Sequence, residues 1–279
     1  LHTAYRRQRQ MCIRDRLNTK TPETVSNFVY MYWHPNGNYL AATVCDTYQN
    51  FFINNPNTLE VLDHNSDIVI YDVKKNEVFS CEALNSKDAW QIFPAFSPDG
   101  KSLYFSSTAA VDSISKNFRQ MTYSLCRVDF DPETRTLGQQ VDTLYNGRAN
   151  HKSVSFPRIS PDGKYLLYSS SKENITQRPF SLSSLFQVNL ETLAVDTLFF
   201  EDRFLGGASY SPDGKQLLLT ASPEAFDGIG KNCGNHPIAN DFDSQAFIMD
   251  LATRKIDPIT KEFNPSVNFL QWNLSLIHI

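Results

Sequence analysis

No stretch of the chain approaches the ~18 consecutive apolar residues that a membrane-spanning helix needs, and a 41% hydrophobic share is that of an ordinary globular chain. Cysteine is sparse. Cys12, Cys45, Cys81, Cys126 and Cys233 form no C-x-x-C pair and are odd in number, which argues against a disulfide framework or a zinc ribbon. Glycine, at 11 residues, is too scarce for a collagen-like or linker chain. The formal charge of −4 conceals a basic start. Residues 6–16 hold five Arg against Asp15, and without them the charge falls to −8. An acidic body does not suit a nucleic-acid partner, because phosphate binding requires a basic surface.

What is abundant is aromatic residues, 13% of the chain with 20 Phe and 12 Tyr. Flat rings suit a pleated surface, so the composition leans towards strands. Internal repetition then dominates the reading. "FSPDGKSLYFSS" begins at Phe96, "ISPDGKYLLYSS" at Ile159, "YSPDGKQLLLTA" at Tyr210, and a weaker "WHPNGNYLAATV" at Trp33. The intervals between successive copies are 63, 63 and 51 residues, and Trp272 in "FLQWN" takes the place of Trp33 in the start of a fifth.

Each part of the repeat has a physical role. Pro presets φ, and Asp-Gly or Asn-Gly accepts the positive φ of a tight hairpin turn. The next strand is almost continuously apolar, as in Leu103–Phe105, Leu166–Tyr168 and Leu217–Leu219. Continuous apolarity in a short strand means that both faces are covered. A third strand ends in Asp or Asn before a polar turn (Ile68–Asp72, Leu125–Asp129, Leu185–Asn189, Ala246–Asp250), and "VDTL" recurs in the fourth at Val141 and Val195. Four antiparallel strands repeated face to face predict an all-β chain of propeller blades. The expected blades are about 25–85, 86–148, 149–202 and 203–263, within a propeller over 17–273, with the start of a further blade at 264–273.

The repeat resembles the WD40-like PD40 repeat of bacterial TolB-type β-propellers over roughly residues 25–273. From about Asn174, "SYSPDGKQLLLTASPEAFDGIG" is also similar to the propeller of prolyl oligopeptidase-family serine peptidases. Divergence between blades and an assembly chimera both account for this change. "RRQRQMCIRDR" and the final "LSLIHI" resemble translated adapter read-through, so residues 1–16 and 274–279 are expected to lie outside the fold, and the propeller is expected to be an incomplete fragment. The resemblance implies a non-catalytic binding or scaffolding module of the cell envelope, periplasmic or envelope-associated, with a protein, peptide or glycan partner. The alternative it implies is the propeller of a serine peptidase whose hydrolase domain is absent.

No catalytic residue, metal ligand or cofactor site is assigned. The nearest approach to a nucleophile elbow, Gly207-Ala208-Ser209-Tyr210-Ser211, lacks the second Gly and runs into the next turn. Asp227, Cys233, His236, Asp241 and Asp243 lie close together, but in a Gly- and Asn-rich segment where Asp serves turns. Topology places the long connections between second and third strands (roughly 44–66, 108–121, 171–181 and 221–243) at the end opposite the S-P-D-G turns. Long loops seldom persist without a role. The expected binding face there comprises Tyr48, Phe52, Phe118, Arg119, His151, Lys152, Arg178, Phe226 and His236.

Overall fold

The computed structural model of the chain describes residues 27–51, 59–111, 121–150, 152–173, 181–231, 243–262, 266–267 and 270–272. The chain divides into two compact units, residues 1–151 and 152–279. Each contains two β-propeller blades, every blade an antiparallel meander in which the strands pair in sequence order. Among the described residues no helix is long and apolar enough to cross a membrane.

In the first unit, β1 (Asn27–Trp33), β2 (Tyr39–Phe51), β3 (Leu59–Asp72) and β4 (Glu77–Phe79) form blade 1. Strands β5 (Ala89–Phe96), β6 (Ser102–Ala109), β7 (Ser124–Asp131) and β8 (Thr136–Leu137) form blade 2, and β9 (Asp142–Tyr145) also pairs with β7. The outer edge of blade 2 is thus shared. Thr136–Leu137 covers Phe130–Asp131, and the "VDTL" segment covers Leu125–Arg127. The sequence pattern had placed only the second of these there. A further difference lies in blade 1. Residues 44–66, read as mostly loop, continue the β2–β3 ladder from Asp46 opposite His64 to Phe51 opposite Leu59.

In the second unit, β10 (Ser155–Ile159), β11 (Tyr165–Glu173), β12 (Ser181–Asn189) and β13 (Val195–Asp202) form blade 3. Strands β14 (Leu205–Tyr210), β15 (Gln216–Ala221), β16 (Gln245–Asp250) and β17 (Ile256–Pro258) form blade 4.

The continuously apolar second strands are buried as their composition requires: Leu103, Tyr104 and Phe105, then Leu166, Leu167 and Tyr168, then Leu217, Leu218 and Leu219. In the first unit one core joins Tyr39, Ala41, Ile68 and Ile70 of blade 1 to Phe96, Leu103, Phe105, Val128 and Phe130 of blade 2. In the second unit Leu167 and Leu185 meet Leu205, Leu217, Leu219, Phe247 and Met249. Burial of apolar side chains, at about 25 cal/mol per Å², is the main force holding paired blades.

The S-P-D-G-K turn is a closed hydrogen-bond unit. Ser97 Oγ donates to Asp99 Oδ1 (2.5 Å) and accepts from the Ser102 N–H (2.9 Å), and Asp99 Oδ1 accepts from the Lys101 N–H (3.0 Å). The same bonds recur at Ser160/Asp162 and Ser211/Asp213. Gly100, Gly163 and Gly214 take φ of 72–74°. In blade 1 His34 replaces the serine. Its Nδ1 accepts from the Asn36 N–H (3.2 Å), so its Nε2 donates, and the acceptor is the Gly100 carbonyl of the next turn (2.9 Å).

These bonds to the charged carboxylate hold Asp99 below the usual carboxyl range, the Ser97 hydroxyl contributing most and the Lys101 N–H next. Asp162 is lowered chiefly by Ser160. Asp99→Ala should therefore cost about 1 kcal/mol, as for a lost local cap. Because the folded pKa is depressed, the contribution is present above the unfolded value of about 4 and is lost as pH falls through the folded value. Urea melts of wild type and variant at pH 7 and pH 2.5 check this. A difference that persists undiminished at pH 2.5 would assign the loss to packing instead.

The hairpins between third and fourth strands, at the same end of each blade, share a second device. Asp72 Oδ1 accepts from the N–H groups of Lys74 and Lys75, Asp131 from Glu133 and Thr134, and Asn189 from Glu191 and Thr192. Four residues on from Asp72, Asp131, Asn189 and Asp250, the residues Asn76, Arg135, Leu193 and Arg254 occupy the left-handed region, φ 57–65°. Each is a four-residue hairpin loop, a length most often built around a type I turn, and its last residue is left-handed.

Candidate functional site

The first strand of every blade is broken at the same place. The register shifts between Val29 and Tyr32, Ile92 and Ala95, Ser155 and Arg158, and Leu205 and Ala208. In three blades the residue at the break is a bulky aromatic with positive φ: Tyr30 (52°), Phe93 (59°) and Phe156 (50°). Each stands three residues before the end of its strand. Such a backbone costs a bulky side chain roughly 1–3 kcal/mol. Bulges re-aim side chains, and here they leave Tyr30 and Phe156 39% and 46% exposed. In blade 4 the same place holds Gly207.

In the first unit the bulge is tied to a polar cluster. The rings of Tyr30 and Phe93 meet edge to face at 4.5 Å. Tyr30 Oη donates to Asp63 Oδ2 (2.9 Å), Cys45 Sγ to Asp63 Oδ1 (3.4 Å), and the Phe93 N–H to Thr43 Oγ1 (3.3 Å). Burial, then the Asp63 carboxylate, pushes the Cys45 thiol up to about 12. The same two causes raise the Tyr30 hydroxyl. Both groups therefore stay protonated near neutral pH and act as donors that hold Asp63. A thiol so protonated is a poor nucleophile.

At the long-loop end of blade 2 there is a cavity of about 530 Å³, lined by Asp88, Ser107, Thr108, Met121, Thr122, Ser124, Thr143, Asn146 and Arg148 among others. Beside it a second cavity of about 400 Å³ shares Ala89, Ser107, Cys126 and Thr143, and adds Gln91 and Gln139. Gln91 is buried, and its Oε1 has no hydrogen-bond partner among the described residues. A buried acceptor left unpaired costs about 1–3 kcal/mol, and a ligand N–H or O–H at this wall would recover that energy.

Of the expected binding face, Lys152 and Phe226 have described side chains. Lys152 Nζ stands 4.6 Å from the ring centre of Phe186 and 5.6 Å from that of Phe200, a cation–π arrangement beside the exposed Phe200. Phe226 is half-buried and packs on Phe199 and Phe247, within the apolar cluster of the second unit. Tyr48 falls in β2, paired with Leu62. Phe52, Phe118, Arg119, His151, Arg178 and His236 lie outside the described residues, as do Cys233 and Asp241. Sequence reasoning missed Tyr30, Phe93, Phe156 and Gln91. The first three left a trace, an aromatic at one fixed offset before the turn motif in "YMYWHPNG", "FPAFSPDG" and "FPRISPDG". Gln91 left none.

No protein-family model matches the chain, and no curated protein does. Solved structures do. A prolyl endopeptidase aligns at 12% identity with a TM-score of 0.51, over 84% of this chain and 28% of that one. TolB from Acinetobacter baumannii aligns at 19% identity and a TM-score of 0.46, over 84% and 43%. An acylaminoacyl peptidase from Pyrococcus horikoshii aligns at 13% and 0.49, over 86% and 33%. The chain spans less than half the length of each. The fold that the alignment with the prolyl endopeptidase shows, in keeping with the four four-stranded blades described above, is the β-propeller.

Proposed function

We propose that this chain is a non-catalytic β-propeller module of the bacterial cell envelope that binds a protein, peptide or glycan partner. The observation that carries the reading is the repeated bulge. Three strained aromatics at one offset, two of them well exposed, are expensive features that packing alone does not require. Aromatic rings of this kind are favoured binding groups. The envelope location rests on the resemblance of the turn repeat to TolB-type propellers. The resemblance of residues after about 174 to peptidase propellers favours a second reading, a substrate-selecting propeller beside a hydrolase domain. A G-x-S-x-G segment within a βα pattern further along the same gene would establish it.

Phe156→Asn tests the first reading. Asn tolerates the left-handed region far better than Phe, so the variant should melt at or above the wild-type temperature. Capture of the partner that wild type retains from an envelope extract should fall sharply. A variant that loses more than about 2 kcal/mol of stability and still captures the partner would make the aromatics packing groups and sink the reading.

A further inference from the structure

Five residues before the last residue of the first strand, blades 1, 3 and 4 carry Phe28, Val154 and Leu205. All three are apolar. Val154 and Leu205 are buried, and Leu205 belongs to the core that joins blades 3 and 4. At the same place blade 2 carries Gln91, 2% exposed, with its unpaired Oε1. The polarity continues across the blade. Gln91 pairs with Ser107 and Ser107 with Ser124, so three polar side chains form one row over three strands. By strand alternation the row shares its face with Phe105, which packs in the core between blades 1 and 2.

A place filled by an apolar side chain in the other blades is thus polar in blade 2, and it is open. Ala89 pairs with Ala109 next along the face, and these small side chains keep its floor low. Above the floor lie the adjoining cavities of about 530 and 400 Å³, both in the size range of small-ligand pockets (~300–1,000 Å³). Two opposite charges line the larger one, Asp88 just before β5 and Arg148 just after β9. Both are exposed, and neither side chain has an ion-pair partner among the described residues. β5 pairs with β6, β6 with β7 and β7 with β9, so β5 and β9 stand three strand spacings apart, roughly 14 Å. A peptide of two or three residues spans up to ~7–10 Å, and the two charged side chains reach across the rest.

We infer that the adjoining cavities bind a short peptide with both ends free, two or three residues long. Its ammonium group pairs with Asp88, its carboxylate with Arg148 and a peptide group with Gln91. A carboxamide offers an acceptor and two donors to the N–H and C=O of a peptide group, and its terminal torsion is soft, so it turns to present either. Ser124 Oγ accepts from the Gly147 N–H (3.1 Å), which leaves its O–H to donate. A guanidinium fork matches a carboxylate. A sugar fits less well. Among the described residues no aromatic ring lines the larger cavity, and Phe105 in the smaller one is 0% exposed, so a sugar ring has no face to stack on. None of Tyr30, Phe93 and Phe156 lines either cavity, so this site is separate from the aromatics of the proposed binding role.

The test is calorimetric titration of the full chain with Ala-Ala and Ala-Ala-Ala. The tripeptide with an acetylated N-terminus and an amidated C-terminus is the uncharged control. N-acetylglucosamine, which carries an amide without charges, stands for the competing class. The free peptides should bind at least about tenfold more tightly than the blocked one, the worth of a charge-assisted hydrogen bond. Asp88→Asn and Arg148→Gln, both at exposed positions, should each remove most of that difference. Gln91→Leu installs the residue that blade 4 uses at this place. It should abolish peptide binding while melting at or above the wild-type temperature, because an unpaired buried acceptor is replaced by an apolar group. Gln91→Met serves if the leucine variant does not fold. Equal binding of free and blocked peptides, tighter binding of the sugar, no heat with either peptide, or wild-type affinity in the Gln91 variants would overturn the inference. If the peptides fail while Phe156→Asn still weakens partner capture, the proposed binding role stands and this site falls.

Discussion

Replacing Phe130 by Ala should lower stability by about 3–5 kcal/mol, the cost of emptying a large buried aromatic site. Phe130 is 2% exposed, and four rings surround it: Tyr39 at 5.1 Å, His34 and Phe96 at 5.5 Å and Phe79 at 6.4 Å. Three of the four belong to blade 1, so the ring joins two blades rather than filling one. Little can collapse into the gap, because the surrounding groups are themselves fixed. His34 is bonded to Gly100, Tyr39 Oη donates to the Pro132 carbonyl (2.7 Å), and Arg135 lies over Phe79 at 4.5 Å while pairing with Asp72 and Glu77. Typical domains have only about 5–15 kcal/mol in total, so the loss is a large fraction of it. Urea denaturation should show the midpoint fall with the slope unchanged, and Phe130→Leu should recover most of the deficit. A loss below about 1 kcal/mol for the alanine variant would mean that the two blades are not joined through this ring.

The second large effect comes from a matched pair of glycines. Gly37 and Gly100 hold the same turn position with φ of 72° and 74°, so alanine at either incurs the same left-handed penalty of about 1–2 kcal/mol. Their surroundings differ. A Cβ on Gly37 meets nothing within 4 Å, whereas one on Gly100 would lie 2.3 Å from Nε2 of the buried His34. Gly100→Ala must therefore also evict the imidazole from its bond to the Gly100 carbonyl and from its edge contact with Phe96 at 4.8 Å. The expected result is a clearly larger loss for Gly100→Ala than for Gly37→Ala. The difference should shrink in a His34→Ser background, which installs the residue that the other three turns use. A double-mutant cycle measures the coupling. Equal losses in both backgrounds would show that His34 can move aside without cost.

The turn motif and the strands around it are legible in the sequence because their causes are local. The six residues Ser97–Ser102 contain the donors and acceptors that close the turn, and Leu103–Phe105 needs only its own apolarity to signal burial on both faces. The paired stretch 46–51 with 59–64 was hidden because its polar residues, among them Asp46, Gln49, Asn50 and Asp63, imitate loop composition. The split edge of blade 2 was hidden by "VDTL", which looks complete without Thr136–Leu137. The bulges are the plainest case. Tyr30, Phe93 and Phe156 have none of the Gly or Asn chemistry that marks a left-handed backbone, so no local rule reports it. Gln91 behaves alike, since its unpaired oxygen is a property of its surroundings alone.

The order in which the strands pair also sets how the chain acquires its shape in time. In every blade the second strand pairs with the first and the third with the second, so each ladder joins segments that leave the ribosome in succession. Closing such short loops takes well under a microsecond to microseconds, and local pairing order is what speeds folding. The self-contained turns at Ser97, Ser160 and Ser211 can close before distant residues exist. Synthesis proceeds at about 5–20 residues per second, far slower than hairpin closure. Each blade therefore has time to form before its successor is made, and the rate of translation, rather than a search among distant partners, governs its assembly in the cell.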